Sequence, residues 1–478
     1  MNFSIIRYIL CRVLEFAALF MALPCVVGLI YKEKSAFSFM GVIAGCLLVG
    51  LIGKRYKPKS RVFYAKEGFV TVSLSWIILS LVGACPFYFS GEFPSYMDAL
   101  FETVSGFTTT GGTILTDVEG LSRCIQLWRC FTHWIGGMGV LVLILAILPL
   151  SGSHNMHLMR AESSGPSVTK LVPKVRNTAK ILYGIYIALT MINMIILMIA
   201  GMAPYDAVTL SFSTMGTGGF GLLNSSVGSY SVPIQCILMV FMLLGGVNFQ
   251  LYYLLLIRRA KDVFHNEELR VYLGIILVAS LLIAWNIKDL FGNGGESIHH
   301  AMFQVISIIT TTGYSTLDYS NWPEFSKSIL FLLTLLGACA GGTGGGFKVS
   351  RLIVMVRSAK NEISAAIHPR SVRRIHMNGQ VVSESIIKSI WVYVMIYVLL
   401  FLGSFVLLSL NGFDFVTNIT AVATTINNVG PGFGMVGPAG NYAEFSVFSK
   451  LVLMFNMLAG RLELLPVLVL FSPRTWKG

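Results

Sequence analysis

Long apolar runs alternate with short polar stretches along the whole 478-residue chain. Runs at about 8–31 and about 36–53 read as two spanning helices, joined by the turn Lys32-Glu33-Lys34. Each is near the ~20 residues that a bilayer requires. A different pattern then repeats. An apolar helix ends near Tyr88, a short amphipathic stretch runs from Pro94 to Phe107, and a second long helix is predicted from Gln126 to Leu150. The same order recurs in units at about 66–150, 178–258, 270–365 and 380–472, with short stretches Glu296–Ile309 and Asp414–Ile426 in the last two. These short stretches are too brief to cross a bilayer. An external amphipathic loop is the plainer reading of any one of them, and recurrence argues for helices that enter the membrane and turn back. Irregular backbone at membrane depth is tolerated where protein or water surrounds it.

Each short stretch leads into a small-polar loop that ends on glycine. The loops are Gly106-Phe107-Thr108-Thr109-Thr110-Gly111-Gly112, Ser213-Thr214-Met215-Gly216-Thr217-Gly218-Gly219-Phe220, Ser307-Ile308-Ile309-Thr310-Thr311-Thr312-Gly313-Tyr314 and the more diverged Thr424-Thr425-Ile426-Asn427-Asn428-Val429-Gly430-Pro431. With Gly111, Gly219, Gly313 and Gly430 in register, Ala99, Ala207 and Ala301 stand twelve positions before the first three, preceded by Asp98, Asp206 and His300. One T-T-T-G is an ordinary turn. Four in register suggest loops meeting on one axis, where carbonyl oxygens replace the water shell of a cation.

Composition places the chain in a membrane. It is 55% hydrophobic and 12% charged, with mean hydropathy +0.74, whereas soluble domains carry about 25% charged residues. The first apolar run is too long for a signal peptide and lacks a small-residue cleavage pattern, so it reads as a retained helix. A net charge of +13 could suggest nucleic acid, but the basic residues occupy alternate loops. That is the positive-inside pattern. Lys54, Arg55, Lys57, Lys59 and Arg61 fall in one such loop, Arg160, Lys170, Lys174, Arg176 and Lys180 in another, and Arg258, Arg259, Lys261 and Arg270 in a third. On the other side Asp117, Glu119, Asp318 and Glu444 dominate, and would gather cations modestly. The longest polar stretches, 151–180 and 358–380, are too short to fold as domains. The eight cysteines contain no C-x-x-C pair, so neither zinc nor redox chemistry is indicated.

The loop chemistry suits a monovalent cation. Glycine takes positive φ without a Cβ clash, threonine stiffens the flanking backbone and offers a hydroxyl, and the carbonyl end of each short helix favours positive charge. No carboxylate lies between Phe107 and Gly112 or between Thr310 and Tyr314, which disfavours calcium. The predicted cation-coordinating residues are Thr109, Thr110, Gly111, Thr217, Gly218, Gly219, Thr311, Thr312, Gly313, Asn428, Val429 and Gly430. An enzyme is not expected: there is no H-E-x-x-H, no paired membrane aspartates and no Ser/His constellation within a helix.

Two features exceed a bare pore. The third unit's second helix contains Gly341-Gly342-Thr343-Gly344-Gly345-Gly346 ahead of Phe347-Lys348. Each glycine costs a helix about 1 kcal/mol relative to alanine, so a break is predicted. No strand precedes it, only a transmembrane run, which argues against a dinucleotide fingerprint. It reads as a flexible gate beneath the loops, with close helix packing as the plainer alternative. Arg461, with Glu463, lies inside the apolar run Leu451–Leu470. A mid-membrane arginine faces a cavity or a partner unless it snorkels, and Glu463, two residues on, lies on another helix face. The basic loops 151–180 and 348–374, the latter with Arg351, Arg357, Lys360, Arg370, Arg373 and Arg374, are expected to dock a partner or anionic lipid.

At these residues the chain resembles the Trk/Ktr/HKT superfamily of cation transporters, and most closely the TrkH-type membrane subunit of bacterial Trk potassium uptake. The stretches that carry the resemblance are Ser105–Gly111, His133-Trp-Ile-Gly-Gly-Met-Gly139, Gly245-Gly-Val-Asn-Phe249, Thr310–Tyr314, Gly341–Lys348, Ile426–Gly432 and Gly460-Arg-Leu-Glu463. The resemblance implies an all-α, potassium-channel-like membrane protein with four pseudo-repeats of helix–pore loop–helix around one pore, plus an N-terminal helix pair. The corresponding boundaries are 1–64, 65–150, 151–262, 263–375 and 376–478. It also implies a homodimer in the bacterial inner membrane, K⁺ as the transported ion with no organic cofactor in this chain, and a separate TrkA-type cytoplasmic subunit that binds nucleotide. Gly341, Gly342, Thr343, Gly344, Gly345, Gly346 and Lys348 would form the gating loop, and Arg461 the charge below the filter. A sodium-coupled or sodium-permeable transporter of the same superfamily is the alternative. Glycine at all four positions favours potassium, because sodium-selective members tend to carry serine in the first loop. Gly216 departs from the pattern and is expected to loosen the second loop.

Overall fold

The computed structural model describes residues 1–56, 65–139, 175–369 and 374–476. Residues 140–150 of the first unit's predicted second helix, and the basic stretches 57–61 and 151–174, lie outside the described residues.

The opening pair, Phe3–Ile30 and Ala36–Arg55, forms an antiparallel hairpin turned at Lys32. Each of the four units then supplies a long outer helix. These are Ala65–Phe89, Val175–Ile199, Glu267–Ile287 and Glu384–Leu408. Six helices among the described residues, the opening pair and the four outer helices, are long and apolar enough to cross a membrane. Their exposed side chains, such as Leu277, Trp285, Leu399 and Val406, are apolar, as a lipid-facing surface requires. The chain is a multi-pass membrane protein.

The short helices are Tyr96–Phe107, Pro204–Gly216, Gly294–Ile309 and Phe415–Ile426. Their starts obey local capping rules. The Ser95 side chain accepts from the Asp98 N–H, the Asp414 side chain from Thr417 and the Asn293 side chain from Gly295, while Pro204 opens the second.

The inner helices include Arg123–Gly137, Val232–Gly246, Glu324–Leu336 and Val447–Arg461, and those of the last three units are shorter than the apolar pattern predicts. The first, second and fourth approach a loop at a glycine of the last turns: Gly136 at Phe107, Gly245 at Thr217 and Gly460 at Ile426. The second bends by 93° into Phe249–Leu256. The third breaks over residues 337–348 before resuming as Val349–Ile367, so the predicted break is present and starts at Gly337. In the fourth, Glu463 and Leu464 both take positive φ, 64° and 62°. Leu464 sits inside a three-residue turn closed by a Leu465 N–H to Glu463 O hydrogen bond of 2.7 Å. The apolar run Leu451–Leu470 is therefore two helices, the second being Leu465–Phe471. A small hairpin, His376–Met377 paired with Gln380–Val381, precedes the last outer helix.

Candidate cation-coordinating ring

All four short helices end in the same hydrogen-bonded turn. Thr109, Thr217, Thr311 and Asn428 donate their N–H groups to Gly106, Thr214, Ile308 and Thr425, three residues back. The next residues, Thr110, Gly218, Thr312 and Val429, donate to Ser105, Ser213, Ser307 and Thr424 at 2.8–3.0 Å. This is a Schellman-type end, which places its turning residue in the left-handed region. Thr109 (φ 54°), Thr217 (52°), Thr311 (58°) and Asn428 (55°) occupy it, and the glycines follow at 78°, 85°, 81° and 92°. Asparagine tolerates this region, whereas a β-branched residue is strained there. Strain of this kind costs of order 1–3 kcal/mol per residue and clusters at functional sites.

The glycines close a ring. A side chain on Gly111 would strike the Gly218 carbonyl, one on Gly219 the Thr312 carbonyl, one on Gly313 the Val429 carbonyl, and one on Gly430 the Thr110 carbonyl. Each loop thus backs onto the next, and the fourth onto the first. The loop N–H groups are bonded back to their own helices, while these carbonyls face neighbouring loops. Thr109, Thr110, Thr217, Thr311, Thr312, Asn428 and Val429 are all fully buried.

Side chains brace the ring. Thr108 and Thr110 share a hydrogen bond of 2.8 Å, as do Thr310 and Thr312. Asn428 Nδ2 donates to Thr110 Oγ1 and to Met457 O, both at 2.9 Å, tying the fourth loop to the first. Gly216, expected to loosen the second loop, leaves its turn geometry the same as in the others. Its φ pattern matches the others, and a Cβ there would meet the His133 carbonyl. The glycine makes room for the inner helix. The His133 ring likewise fills the space beside Gly218, stacks on Phe220 at 4.2 Å, and hydrogen bonds Ser213 at 3.0 Å.

One side of the ring opens into a cavity of about 160 Å³ lined by Gly111, Gly219, Gly313, Gly430 and Arg129, among others. Arg129 and Glu102, 1% and 0% exposed, form an ion pair of 2.7 Å behind the first loop. Glu102 also accepts from Thr113 Oγ1 at 2.9 Å and Ile114 N at 3.0 Å. Arg129 lies over the Phe220 ring at 4.1 Å, so the pair braces two loops. At the rim, Asp117 accepts from Asn224 Nδ2 at 3.0 Å. That bond, with the Glu119 N–H, holds the Asp117 carboxyl below the usual carboxylate range.

Beneath the ring lies the 337–348 segment, which touches the same position in the second, third and fourth loops and is linked to it in the first through Arg461. Arg461 donates to Thr109 Oγ1 at 3.0 Å and to Thr343 O at 2.7 Å. Thr217 Oγ1 bonds Thr343 Oγ1 at 3.2 Å, and the Gly345 N–H donates to Thr311 Oγ1 at 2.7 Å. Gly345 also packs on Asn428. The left-handed Thr217 and Thr311 therefore present hydroxyls to this segment, and Thr109 presents its own to Arg461. Lys348 is buried and donates to the Gly344 and Gly345 carbonyls. Gly341 accepts from Phe249 N at 3.0 Å, and a Cβ on Gly342 would crowd the Gly246 carbonyl. Gly346 takes φ 78° against Gly337.

Arg461 further donates to Gly136 O at 2.6 Å and Gly137 O at 3.0 Å, so its guanidinium is engaged under the ring. Glu463 pairs with Arg351 instead. This corrects one expectation. Arg351 is 9% exposed and lies over the Tyr393 ring at 4.1 Å, so it is no docking charge, and Arg357 pairs with Glu267 at 2.8 Å. Arg370 and Arg373 lie outside the described residues.

Sequence reasoning missed Glu102, Arg129 and Glu268, and took His133 only as part of a motif without a role. Each is a charged or polar residue near the start of, or inside, an apolar run, which is a signal by itself. Their partners are distant in sequence, and nothing local names them.

A family model described as TrkH, cation transport protein, matches residues 35–288 and 289–477. The Trk system potassium uptake protein TrkH of Salmonella typhimurium is 37% identical over 469 residues, covering 96% of each chain. That of Escherichia coli K12 is 36% identical over 467 residues, again 96% of each. The crystal structure of the potassium transporter TrkH from Vibrio parahaemolyticus superposes with a TM-score of 0.90 at 31% identity, covering 100% of both chains.

Proposed function

The chain belongs to the TrkH family of cation transport proteins, and on that premise we propose that it admits potassium through a selective, gated pore at the four-glycine ring. The observation that carries this reading is the cyclic contact of Gly111, Gly219, Gly313 and Gly430 with the carbonyls of the next loop. Oxygens arranged around one axis replace the hydration shell of a monovalent cation, and the four short helices direct their carbonyl ends at it. Thr110, Gly218, Thr312 and Val429 supply backbone oxygens, and Thr109, Thr217 and Thr311 add hydroxyls on the inner side. The four units 65–150, 151–262, 263–375 and 376–478 act as pore repeats, with 1–64 outside them.

The segment 337–348 and Arg461 form the closed gate. A cation leaving the ring meets backbone that crosses its path, with the positive charge of Arg461 beside it. Potassium entry across the bacterial inner membrane is driven by the membrane potential. The working assembly is a homodimer controlled by a TrkA-type nucleotide-binding subunit at the cytoplasmic face.

The test is flux of ⁸⁶Rb⁺ into liposomes holding the purified protein, competed with unlabelled K⁺, Na⁺ and Cs⁺. Competition by K⁺ and not by Na⁺ is expected. Equal competition by Na⁺ would replace this reading with a sodium-permeable transporter.

A further inference from the structure

Glu268 lies in the first turn of the third outer helix, 5% exposed. One of its oxygens, Oε1, accepts two backbone hydrogen bonds, one from the segment below the ring and one from the helix that follows it. One comes from the Ala340 N–H at 2.7 Å and the other from the Ser350 N–H at 3.0 Å. These donors bracket the Gly341–Lys348 stretch on both sides. The Ser350 N–H belongs to the first turn of the exit helix Val349–Ile367, whose N-cap residue, Lys348, makes no capping bond of its own. A carboxylate from another helix therefore does the capping, in a place where negative charge is favoured.

The neighbouring residue holds the cytoplasmic continuation of the same element. Glu267 pairs with Arg357, two turns further along the exit helix, at 2.8 Å. Its N–H donates to Asn378 Oδ1 in the small hairpin at 2.8 Å. The first turn of one outer helix thus grips the gate segment at both ends and the exit helix below it. From above, the segment is held by the ring hydroxyls. If it swings aside, two amides lose a buried acceptor, and a buried carboxylate is left with fewer donors. Both losses oppose opening.

We propose that Glu268 is the positioning residue that pins the gate segment shut, and that displacement of the exit helix releases it. This rests on the reading of 337–348 as a gate. The pin is neither part of the ring nor in contact with the ion.

The experiment compares ⁸⁶Rb⁺ flux through the full chain in liposomes for four proteins. They are wild type, Glu268→Ala, a deletion of Thr343 and Gly344, and the two changes combined. Elution profile and thermal melting establish that each is folded. The expected result is a rise of about tenfold or more for Glu268→Ala, the change that loss of a charge-assisted hydrogen bond from the closed state brings. K⁺ over Na⁺ selectivity stays at the wild-type value, and Glu268→Ala adds nothing to the deletion. If the deletion raises flux and Glu268→Ala does not, the pin is wrong and the gate stands. If neither raises flux, the gate reading falls. A further rise on top of the deletion, or lost selectivity, would show Glu268 acting elsewhere and overturn the proposal. Should the alanine variant fail to fold, Glu268→Gln decides. It keeps the shape and a weaker acceptor, so a several-fold rise supports the pin and wild-type flux rejects it.

Discussion

Arg461 reaches across 352 positions of the chain to donate a hydrogen bond of 3.0 Å to the Thr109 hydroxyl. The last inner helix and the first glycine loop are thereby fastened to each other, and the same guanidinium holds the Thr343 carbonyl at 2.7 Å.

That contact makes Arg461 both a tether and a charge. Two unit charges about 6 Å apart repel by ~3 kcal/mol at an effective dielectric near 20, which slows passage about a hundredfold. Arg461→Ala is expected to raise ⁸⁶Rb⁺ flux through the isolated protein and leave selectivity alone. Arg461→Lys keeps the charge and loses the fork of donors. Low flux in the lysine variant assigns the barrier to charge, and high flux assigns it to the tether. Wild-type flux in the alanine variant would remove Arg461 from the gate.

Gly111 and Gly313 take φ of 78° and 81°, and a Cβ on either would press into a neighbouring carbonyl. Serine at either position should distort the ring and lower K⁺ over Na⁺ selectivity, read as Na⁺ competition against ⁸⁶Rb⁺. Two well-expressed serine variants with unchanged selectivity would disprove the coordinating role of the ring.

The left-handed Thr311 keeps its hydroxyl on the Gly345 N–H at 2.7 Å. Thr311→Val preserves the β-branched shape and removes the acceptor. Loss of a buried hydrogen bond of this kind costs about 1–3 kcal/mol, so flux without a regulatory partner should rise several-fold. Unaltered flux would mean that the hydroxyl does not hold the segment.

The Glu102–Arg129 pair is 0% and 1% exposed. Breaking a buried pair by removing one partner typically costs about 3–5 kcal/mol. Glu102→Gln should therefore lower the thermal melting point in detergent substantially. A melting point within a degree or two of wild type would show that the pair contributes little to the loops it braces.

Asp414 caps the fourth short helix, accepting from the Thr417 N–H at 3.0 Å. Hydrogen bonding from Thr417, first through its side chain and then its backbone, holds the carboxyl below the ordinary value. A depressed pKa gives stability that is present above the unfolded value, about 3.9, and is lost as pH falls through the folded one. Amide protection at the start of Phe415–Ile426, followed by hydrogen exchange, should therefore persist to about pH 4 and decline below it. Asp414→Asn keeps an acceptor and should abolish that dependence; an unchanged acid profile in this variant would assign the titration to another group.

The sequence by itself determined the membrane class, the opening helix pair, the order of long helix, short helix and loop, and the register of Gly111, Gly219, Gly313 and Gly430. These are local facts. Apolar length reports a span, N-cap residues such as Ser95 and Asp414 report a start, and glycine reports a turn. Five glycines among the six residues 341–346 likewise announced a break there. Only the tertiary structure decided where the inner helices of the last three units stop, because the backbone there packs against neighbours. Gly216 reads as slack in the chain and is a close approach to the His133 carbonyl. Arg351 reads as a free cytoplasmic charge and is paired with Glu463. The roles of Glu102, Arg129 and Glu268 depend on partners 27, 27 and 72 positions away. A helix period does not encode which distant backbone a buried carboxylate will meet, and that pairing places the charges around the ring and under it.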